Sequence, residues 1–368
     1  MRYIVWSVLA LSLAAAPAMA QDPALPSDPP STEIGGLLDL YYDYYTTQPS
    51  GDAVLRNFDV KHNQFALSMA QVWLQRPVTE DSRVGFRFKL NFGPSSSNYI
   101  HCCEPGGAPY DNIQEAFVSY LAPAGNGLQI DAGVFVTPIG AEVIEAQDNM
   151  NYSRGLLFAL AIPYYHSGVR LSYAASDKVT LMGSLVNGWN SIEDVNTGKT
   201  LHGGVVVRPV PDVSVVANYM FGPEQPGTND DFRHLFDAIF SVTATPRLTL
   251  AANYDYGTER FAGSDVSWQG LAAYAKYQLT PVVAVSPRFE VFRDPDGFTT
   301  GLPQTLKEVT GTLDVRVNDN LQWRAEYRTD FSDQSVFPDA GSDGLEEFQK
   351  SRTSLAFALL YSFAGSIR

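Results

Sequence analysis

The chain has 368 residues, and its 25 Lys and Arg are outweighed by 40 Asp and Glu, which gives a formal charge of −15. Proteins that bind nucleic acid carry a basic surface, so this acidic balance excludes nucleic acid as a partner. After residue 20 the longest unbroken apolar run is 156–162, well short of the roughly 20 residues that a membrane-spanning helix needs.

The first twenty residues have the pattern of an export signal. Arg2 supplies a positive charge, an apolar stretch follows, and small residues at Ala18 and Ala20 form a cleavage site. We therefore expect cleavage after Ala20 and export from the cytoplasm. The proline-rich residues that follow predict a flexible segment over 21–33, and the remainder, 34–368, is expected to form a single domain.

From residue 34 onward, apolar and polar residues alternate, which is the period of a strand with two unlike faces. In residues 84–92, for example, Val, Phe, Phe, Leu and Phe share one face, and Gly, Arg, Lys and Asn share the other. Most of the predicted strands have the roughly 9 to 11 residues that a tilted transmembrane strand requires. The sixteen predicted strands are 34–46, 61–76, 82–93, 111–122, 127–137, 164–173, 178–189, 201–208, 212–221, 232–244, 247–257, 266–279, 282–293, 305–317, 321–332 and 352–363.

The predicted connections alternate in length. Every second one is tight, such as 123–126 and 280–281, whereas the others are longer, such as 138–163 and 258–265. Short turns on one side and long loops on the other are typical of outer-membrane barrels. Unpaired sheet edges are costly inside a bilayer, so the first and last strands should pair. The sequence therefore predicts an all-β fold, a transmembrane antiparallel up-and-down β-barrel of about 16 strands with long extracellular loops and short periplasmic turns. We expect this barrel to lie in the outer membrane of a Gram-negative cell.

The last predicted strand carries an apolar row that ends in the aromatic residue Phe363, five residues before the end of the sequence. This row resembles the assembly signal of bacterial barrel proteins. It implies periplasmic chaperones and the barrel assembly machinery as partners during biogenesis, with outer-membrane lipid around the finished barrel.

Charged residues of both signs fall on the polar rows of the strands. Arg or Lys facing lipid near the midplane would cost roughly 2 to 4 kcal/mol, so these rows should face water. Side-chain charges along a pore set which ions pass. Salt bridges across a filled lumen are the alternative, but sixteen strands enclose a space too wide for side chains alone to fill. The predicted pore-lining residues are Arg87, Lys89, Asp131, Arg170, Arg208, Asp255, Arg288, Glu290, Arg316, Arg324, Glu326 and Arg328.

The longest predicted connection, 138–163, carries charged residues beside an apolar stretch. Irregular backbone can line a water-filled lumen but cannot face lipid, so we expect this loop to fold into the barrel and narrow the pore. An external lid is the alternative. The candidate constriction residues are Glu142, Glu145, Asp148 and Arg154.

Other chemistries find little support. Cys102 and Cys103 are adjacent, an arrangement that would close a strained disulfide ring, and with His101 and Glu104 they lack the spacing of a zinc site. We therefore expect no metal and no cofactor.

No G-x-S-x-G or HExxH motif occurs, so we expect no enzyme. An outer-membrane lipid hydrolase would need a lipid-facing His, for which His234 is the candidate, but no partner Ser or Asp can be assigned. A non-conducting barrel that contacts other envelope components through acidic pairs such as 193–194 and 230–231 is a further alternative.

Three segments carry a family resemblance: Gly-Val-Phe-Val-Thr-Pro-Ile-Gly at 133–140, Asn-Tyr-Ser-Arg at 151–154, and Pro163 with His-Ser-Gly-Val-Arg at 166–170. Together they resemble the OmpL-like β-barrel porin family. The resemblance implies a water-filled channel for passive diffusion of small hydrophilic solutes and ions. The ion preference and the oligomeric state do not follow from it.

Overall fold

The computed structural model describes residues 31–102, 110–340 and 347–367. Short helical segments lie at Ser95–Ile100, Ala146–Asp148 and Leu156–Leu160, the last of which is α1. The strands, in chain order, are β1 Thr32–Tyr45, β2 Gln64–Arg76, β3 Val84–Phe92, β4 Ile113–Ala122, β5 Leu128–Val136, β6 Tyr165–Ser176, β7 Val179–Val186, β8 Thr200–Val210, β9 Val213–Pro223, β10 Phe232–Thr245, β11 Leu248–Phe261, β12 Ser264–Thr280, β13 Val283–Asp294, β14 Gln304–Arg316, β15 Leu321–Ser332, β16 Phe337–Asp339, β17 Glu347–Gln349 and β18 Ser351–Ile367.

Sixteen of these strands form one closed antiparallel barrel, in which β1 to β15 follow one another and β18 completes the ring between β15 and β1. The first and last strands pair from Thr32 with Ile367 to Tyr45 with Ser354. This closure confirms the predicted fold, since every backbone edge within the ring has a neighbour. The short strands β16 and β17 form a separate hairpin. Among the described segments, no helix is long and apolar enough to cross a membrane.

The two faces of each strand have opposite character. On β3, Phe88 is 42% exposed, whereas the neighbouring Lys89 is 7% exposed. The same alternation places exposed Phe289, Tyr327 and Phe357 on the outer surface. The outer surface is therefore suited to lipid, and the polar rows face inward.

Both ends of the barrel differ slightly from the predicted bounds. Strand β1 begins at Thr32, so residues 32 and 33 belong to the strand and not to the predicted flexible segment. Strand β18 continues past Phe363 to Ile367. Each extension supplies the backbone partner of the other, with Glu33 opposite Ser366. The signal-peptide prediction lies outside the described residues.

The prediction of a longer loop over 258–265 is wrong. Strands β11 and β12 continue to Phe261 and Ser264 and are joined by two residues, Ala262 at φ 51° and Gly263 at φ 82°. Two consecutive positive φ angles are those of a type I′ hairpin turn, which matches the strand twist. The tip of this hairpin needs no apolar face, and its polar residues interrupt the apolar alternation. The predicted strands therefore ended too early on both sides of the tip.

Candidate pore and inward-folded loop

The connection 138–163, called the inward loop below, enters the barrel directly after β5. Its first residues bind the wall formed by β10 and β11. The Gly140 N–H donates to Asp237 at 3.1 Å, and the Ala141 N–H donates to Asn253 at 3.0 Å. These inward-facing side chains accept hydrogen bonds from irregular backbone that would otherwise be unsatisfied in the barrel interior.

Two acidic residues of the inward loop reach well-separated parts of the wall. Glu142 binds Arg288 of β13 at 2.7 Å, and Glu145 binds Lys89 of β3 at 2.6 Å. In the ring these strands are separated by β14, β15, β18, β1 and β2. Residues 142–145 therefore stretch across the lumen.

Glu145 is the better supported of the two anchors. Gln71 and Gln114 also donate to its carboxylate, at 3.1 and 2.8 Å. Burial alone would raise the pKa of Glu145, but the Lys89 ammonium and these amide donors lower it to about 2. The anchor is therefore ionised at neutral pH.

The returning half of the inward loop binds β1 and β13 to β15. Arg324 donates to the carbonyls of Ala146 and Asn151 at 2.7 and 2.9 Å, and Glu326 accepts the N–H of Tyr152 at 2.7 Å. The Tyr152 hydroxyl donates to Asp39 at 2.9 Å. Charged wall side chains therefore hold residues 146–152 of the loop.

Several predicted pore-lining residues lie on the inner wall, as their strand positions require, but the inward loop covers them. None of this group is more than 4% exposed. Their guanidinium and carboxylate groups bind loop backbone, loop side chains or neighbouring wall residues, as Asp255 does with Asn253 at 3.4 Å. The covered residues are Asp255, Arg288, Glu290, Arg324, Glu326 and Arg328.

A cavity of about 190 Å³ remains between loop residues 142–145 and the wall of β3 to β6. It extends from Pro77, in the first periplasmic turn, to Thr137 at the outer end of β5. Four of the predicted pore-lining residues border this cavity. They are Arg87, Lys89, Asp131 and Arg170.

The charges that border this cavity are mostly paired. Arg170 makes two bonds to Asp131, of 3.0 and 2.7 Å, and its guanidinium lies over the ring of Phe135 at 4.6 Å. Arg87 binds Glu115 at 2.5 Å and keeps 27% of its side chain exposed. Of the three ion-paired cations Arg87, Lys89 and Arg170, it therefore has the freest access to water.

A second cavity of about 460 Å³ opens at the periplasmic end. It is bordered by turn residues such as Pro246 and by Arg316, Lys276 and Asp314, the last two lying 3.6 Å apart. Of the remaining predicted residues, Arg316 thus lies in this vestibule, and Arg208 is half-buried near the periplasmic end of β8.

The two other candidate constriction residues differ in environment. The side chain of Asp148 is exposed, although the loop around it lies inside the barrel. Arg154 is buried, donates to the Tyr152 carbonyl at 2.9 Å and lies over the Phe58 ring at 4.5 Å. Asp148 can therefore meet water in the lumen, whereas Arg154 serves the packing of the loop.

Sequence reasoning missed an apolar cluster within the outer part of the barrel. Leu157 and Phe158 of α1 pack in one buried core with Trp268, Phe292 and Leu306 of β12 to β14. The Trp268 indole also donates to the Ala161 carbonyl at 3.1 Å. The sequence did carry a signal for this packing. Trp268, Phe292 and Leu306 are large apolar residues at inward positions, where polar residues were expected.

In the part of the chain that the structure describes, the histidine considered for lipid hydrolysis lies among aromatic residues. His234 stacks on Phe221, with 6.2 Å between centroids, and is hydrogen-bonded to the Tyr219 hydroxyl at 2.7 Å. Within the described ranges, no group of three or more His, Cys, Asp and Glu could hold a metal ion. Cys102 is exposed, whereas Cys103 and Glu104 lie outside those ranges.

Solved outer-membrane barrels share this fold at low sequence identity. An anion-selective porin from Comamonas acidovorans superposes with a TM-score of 0.62 at 10% identity, covering 91% of this chain and 100% of its own. The channel DcaP of Acinetobacter baumannii gives 0.60 at 11%, covering 92% and 99%. OmpT of Vibrio cholerae, in its trimer form, gives 0.61 at 12%, covering 91% and 100%.

The sequence itself identifies the family. No curated protein matches the chain. The family model described as "Putative beta-barrel porin-2, OmpL-like" matches residues 31–363, which is nearly the whole barrel. This chain therefore belongs to the OmpL-like β-barrel porins, outer-membrane channels for the passive diffusion of small hydrophilic solutes and ions.

Proposed function

We propose that solutes cross this porin through the space between the inward loop and the wall of β3 to β6. One observation carries the proposal: the 190 Å³ cavity is bordered by both the loop and the wall, from Pro77 to Thr137. In this proposal the inward loop is the constriction, with Glu142 and Glu145 on its lining and Arg87 opposite them. Asp148 faces lumen water, and Arg154 holds the loop in place.

The size of the cavity limits the solutes. At about 190 Å³ the cavity is a small part of the lumen that sixteen strands can enclose. We therefore expect passage of ions and very small polar molecules, with a conductance far below that of an unobstructed sixteen-strand barrel.

The charges that border the cavity predict weak ion selectivity. Arg87, Lys89 and Arg170 on the wall are each paired with a carboxylate of the wall or the loop. Paired charges nearly cancel at a distance, so a solute passing them meets little net potential. Reversal potentials in a salt gradient are expected to lie well short of those of an ideally selective channel.

The apolar cluster around α1 favours a second candidate, a barrel that is closed to solutes. Single-channel recording of the purified, detergent-folded protein in a planar bilayer separates the two. For the proposed path we expect discrete conductance steps. In an Arg87→Cys variant with Cys102 and Cys103 replaced by Ser, the size of these steps should decrease when methanethiosulfonate reagents modify the new cysteine. Silence from folded protein would instead favour a closed barrel with a structural or anchoring role.

We also propose the biogenesis route that the sequence suggests. Cleavage after Ala20 would leave Gln21 as the first residue, which intact-mass measurement of protein from outer membranes can test. Periplasmic chaperones and the barrel assembly machinery would deliver and insert the chain through the aromatic row of β18. Replacement of Phe357 and Phe363 by Ser should lower the amount of folded barrel in the membrane.

We propose that the protein catalyses no reaction. The ring of His234 is held between aromatic neighbours and the Tyr219 hydroxyl, an arrangement of an interfacial aromatic belt. A lipid hydrolysis assay of wild type and a His234→Ala variant is expected to give no activity with either protein. Activity that the substitution removes would contradict this proposal.

A further inference from the structure

The apolar outer surface of the barrel is interrupted by cations near its extracellular end. Arg293 of β13 and Lys307 of β14 are exposed and stand in the same outward rows as exposed Phe289 and Val309. Strand β13 ends at Asp294, and β14 begins at Gln304. Both cations therefore lie close to the extracellular loop, where the outer leaflet meets water.

The strand register places the two side chains side by side. Arg293 is opposite Thr305, and Lys307 is opposite Val291, so the cations are diagonal neighbours on one face. Diagonal neighbours in an antiparallel pair are roughly 7 to 8 Å apart, within reach for two long side chains to meet at a shared group.

Neither cation is neutralised within the described parts of the chain, where no carboxylate lies within ion-pair distance of Arg293 or Lys307. The nearby acids are engaged elsewhere: Asp296 accepts the Ser267 N–H at 2.9 Å, and Asp333 accepts the Thr305 N–H at 3.0 Å. Two adjacent, unpaired cations at a lipid boundary attract an anionic headgroup.

We propose that Arg293 and Lys307 bind a phosphate group of an outer-leaflet lipid, a phosphorylated glycolipid of the lipid A type. The guanidinium fork and the ammonium supply charge-assisted donors to phosphate oxygens. The exposed Phe289, Val309 and Phe331 beside and below them offer an apolar surface to the acyl chains. The site is separate from the solute path, because these side chains face away from the lumen.

The test measures binding of bisphosphorylated lipid A in mixed micelles to the detergent-folded full-length protein by native mass spectrometry. The variant is Arg293→Gln with Lys307→Gln, and the matched control is Arg260→Gln. Arg260 is also an exposed cation near the outer end of its strand, but it lies 3.9 Å from Asp265. Heat-modifiable gel migration verifies that each variant is folded.

The double variant is expected to lose about thirtyfold in affinity, the usual effect of two interfacial cations, while the control changes less than twofold. Dephosphorylated lipid should bind the wild type as weakly as lipid A binds the double variant. Equal lipid A binding by the wild type and the double variant would overturn the proposal. Displacement of lipid A by millimolar inorganic phosphate would overturn the lipid assignment, since it would indicate a site for free phosphate.

Discussion

The ion pair between Glu145 and Lys89 is the sharpest test of the inward loop as a constriction. The substitution Glu145→Gln keeps the shape of the side chain but removes the charge that faces the Lys89 ammonium at 2.6 Å. The two side chains are only 9% and 10% exposed, so the ammonium would be left largely buried. Its remaining carboxylate neighbour is Glu115, at 3.5 Å.

Removal of one partner from a buried pair typically costs about 3 to 5 kcal/mol, and the neighbouring Glu115 should reduce this to about 2 to 3 kcal/mol here. A loss of this size should release residues 143–145 from the wall of β3 for an appreciable fraction of the time, while Glu142 on the β13 side and Arg324, at the carbonyl of Ala146, still hold the loop. We expect larger mean conductance and more open-channel noise in single-channel recordings.

Lys89→Gln should have a similar effect, and the double variant should lose less than the sum of the two single variants, since the pair acts as a unit. Asp194→Asn is the matched control. It breaks an ion pair with Lys199, whose side chain is 44% exposed, and surface pairs contribute about 0 to 1 kcal/mol. Wild-type conductance and noise in Glu145→Gln, with additive effects in the double variant, would refute the constriction by this loop.

Three further predictions concern the same loop and its packing. Deletion of residues 142–158 should raise the conductance severalfold in planar bilayers, and an unchanged conductance in a folded variant would contradict the proposed path. The pKa of Glu145 is lowered from 4.5 to about 2, so its stabilising contribution is fully present above pH 4.5 and is lost only as the pH falls toward 2. The conductance of the wild type should therefore not change between pH 5 and 8 through this residue. A change in that range that is absent from Glu145→Gln would argue against this ionisation state. Leu157→Ala should remove about 2 to 5 kcal/mol of packing in the apolar cluster and increase solute leakage in liposome swelling, whereas Leu355→Ala on the outer surface should leave leakage unchanged.

The fold could be predicted because its main determinant is local. Alternation with a period of two, as in 84–92, assigns each residue to a face without any knowledge of the neighbouring strand. Tight turns between long strands then require antiparallel neighbours, and the bilayer requires closure. The family resemblance at 133–140 and 166–170 agreed with the family model over 31–363.

The position of the inward loop depends on contacts between residues far apart in the chain. Glu145 meets Lys89 from 56 residues away, and Glu142 meets Arg288 from 146 residues away. No local pattern encodes such pairings, because any inward carboxylate could in principle bind any inward cation. The charged rows were therefore predicted to face water, while the structure shows that many of them bind the loop instead.

The sequence by itself determined which residues face lipid, which face inward and how many strands cross the membrane, because these features follow from strand periodicity. It also determined that the ring must close, because unpaired backbone is costly in a bilayer. Only the tertiary structure decided how the lumen is filled. The apolar run of α1 could have lain outside the barrel, but inward Trp268, Phe292 and Leu306 provide its packing surface. That choice depends on the combined shape and charge of many wall strands, which no single segment contains.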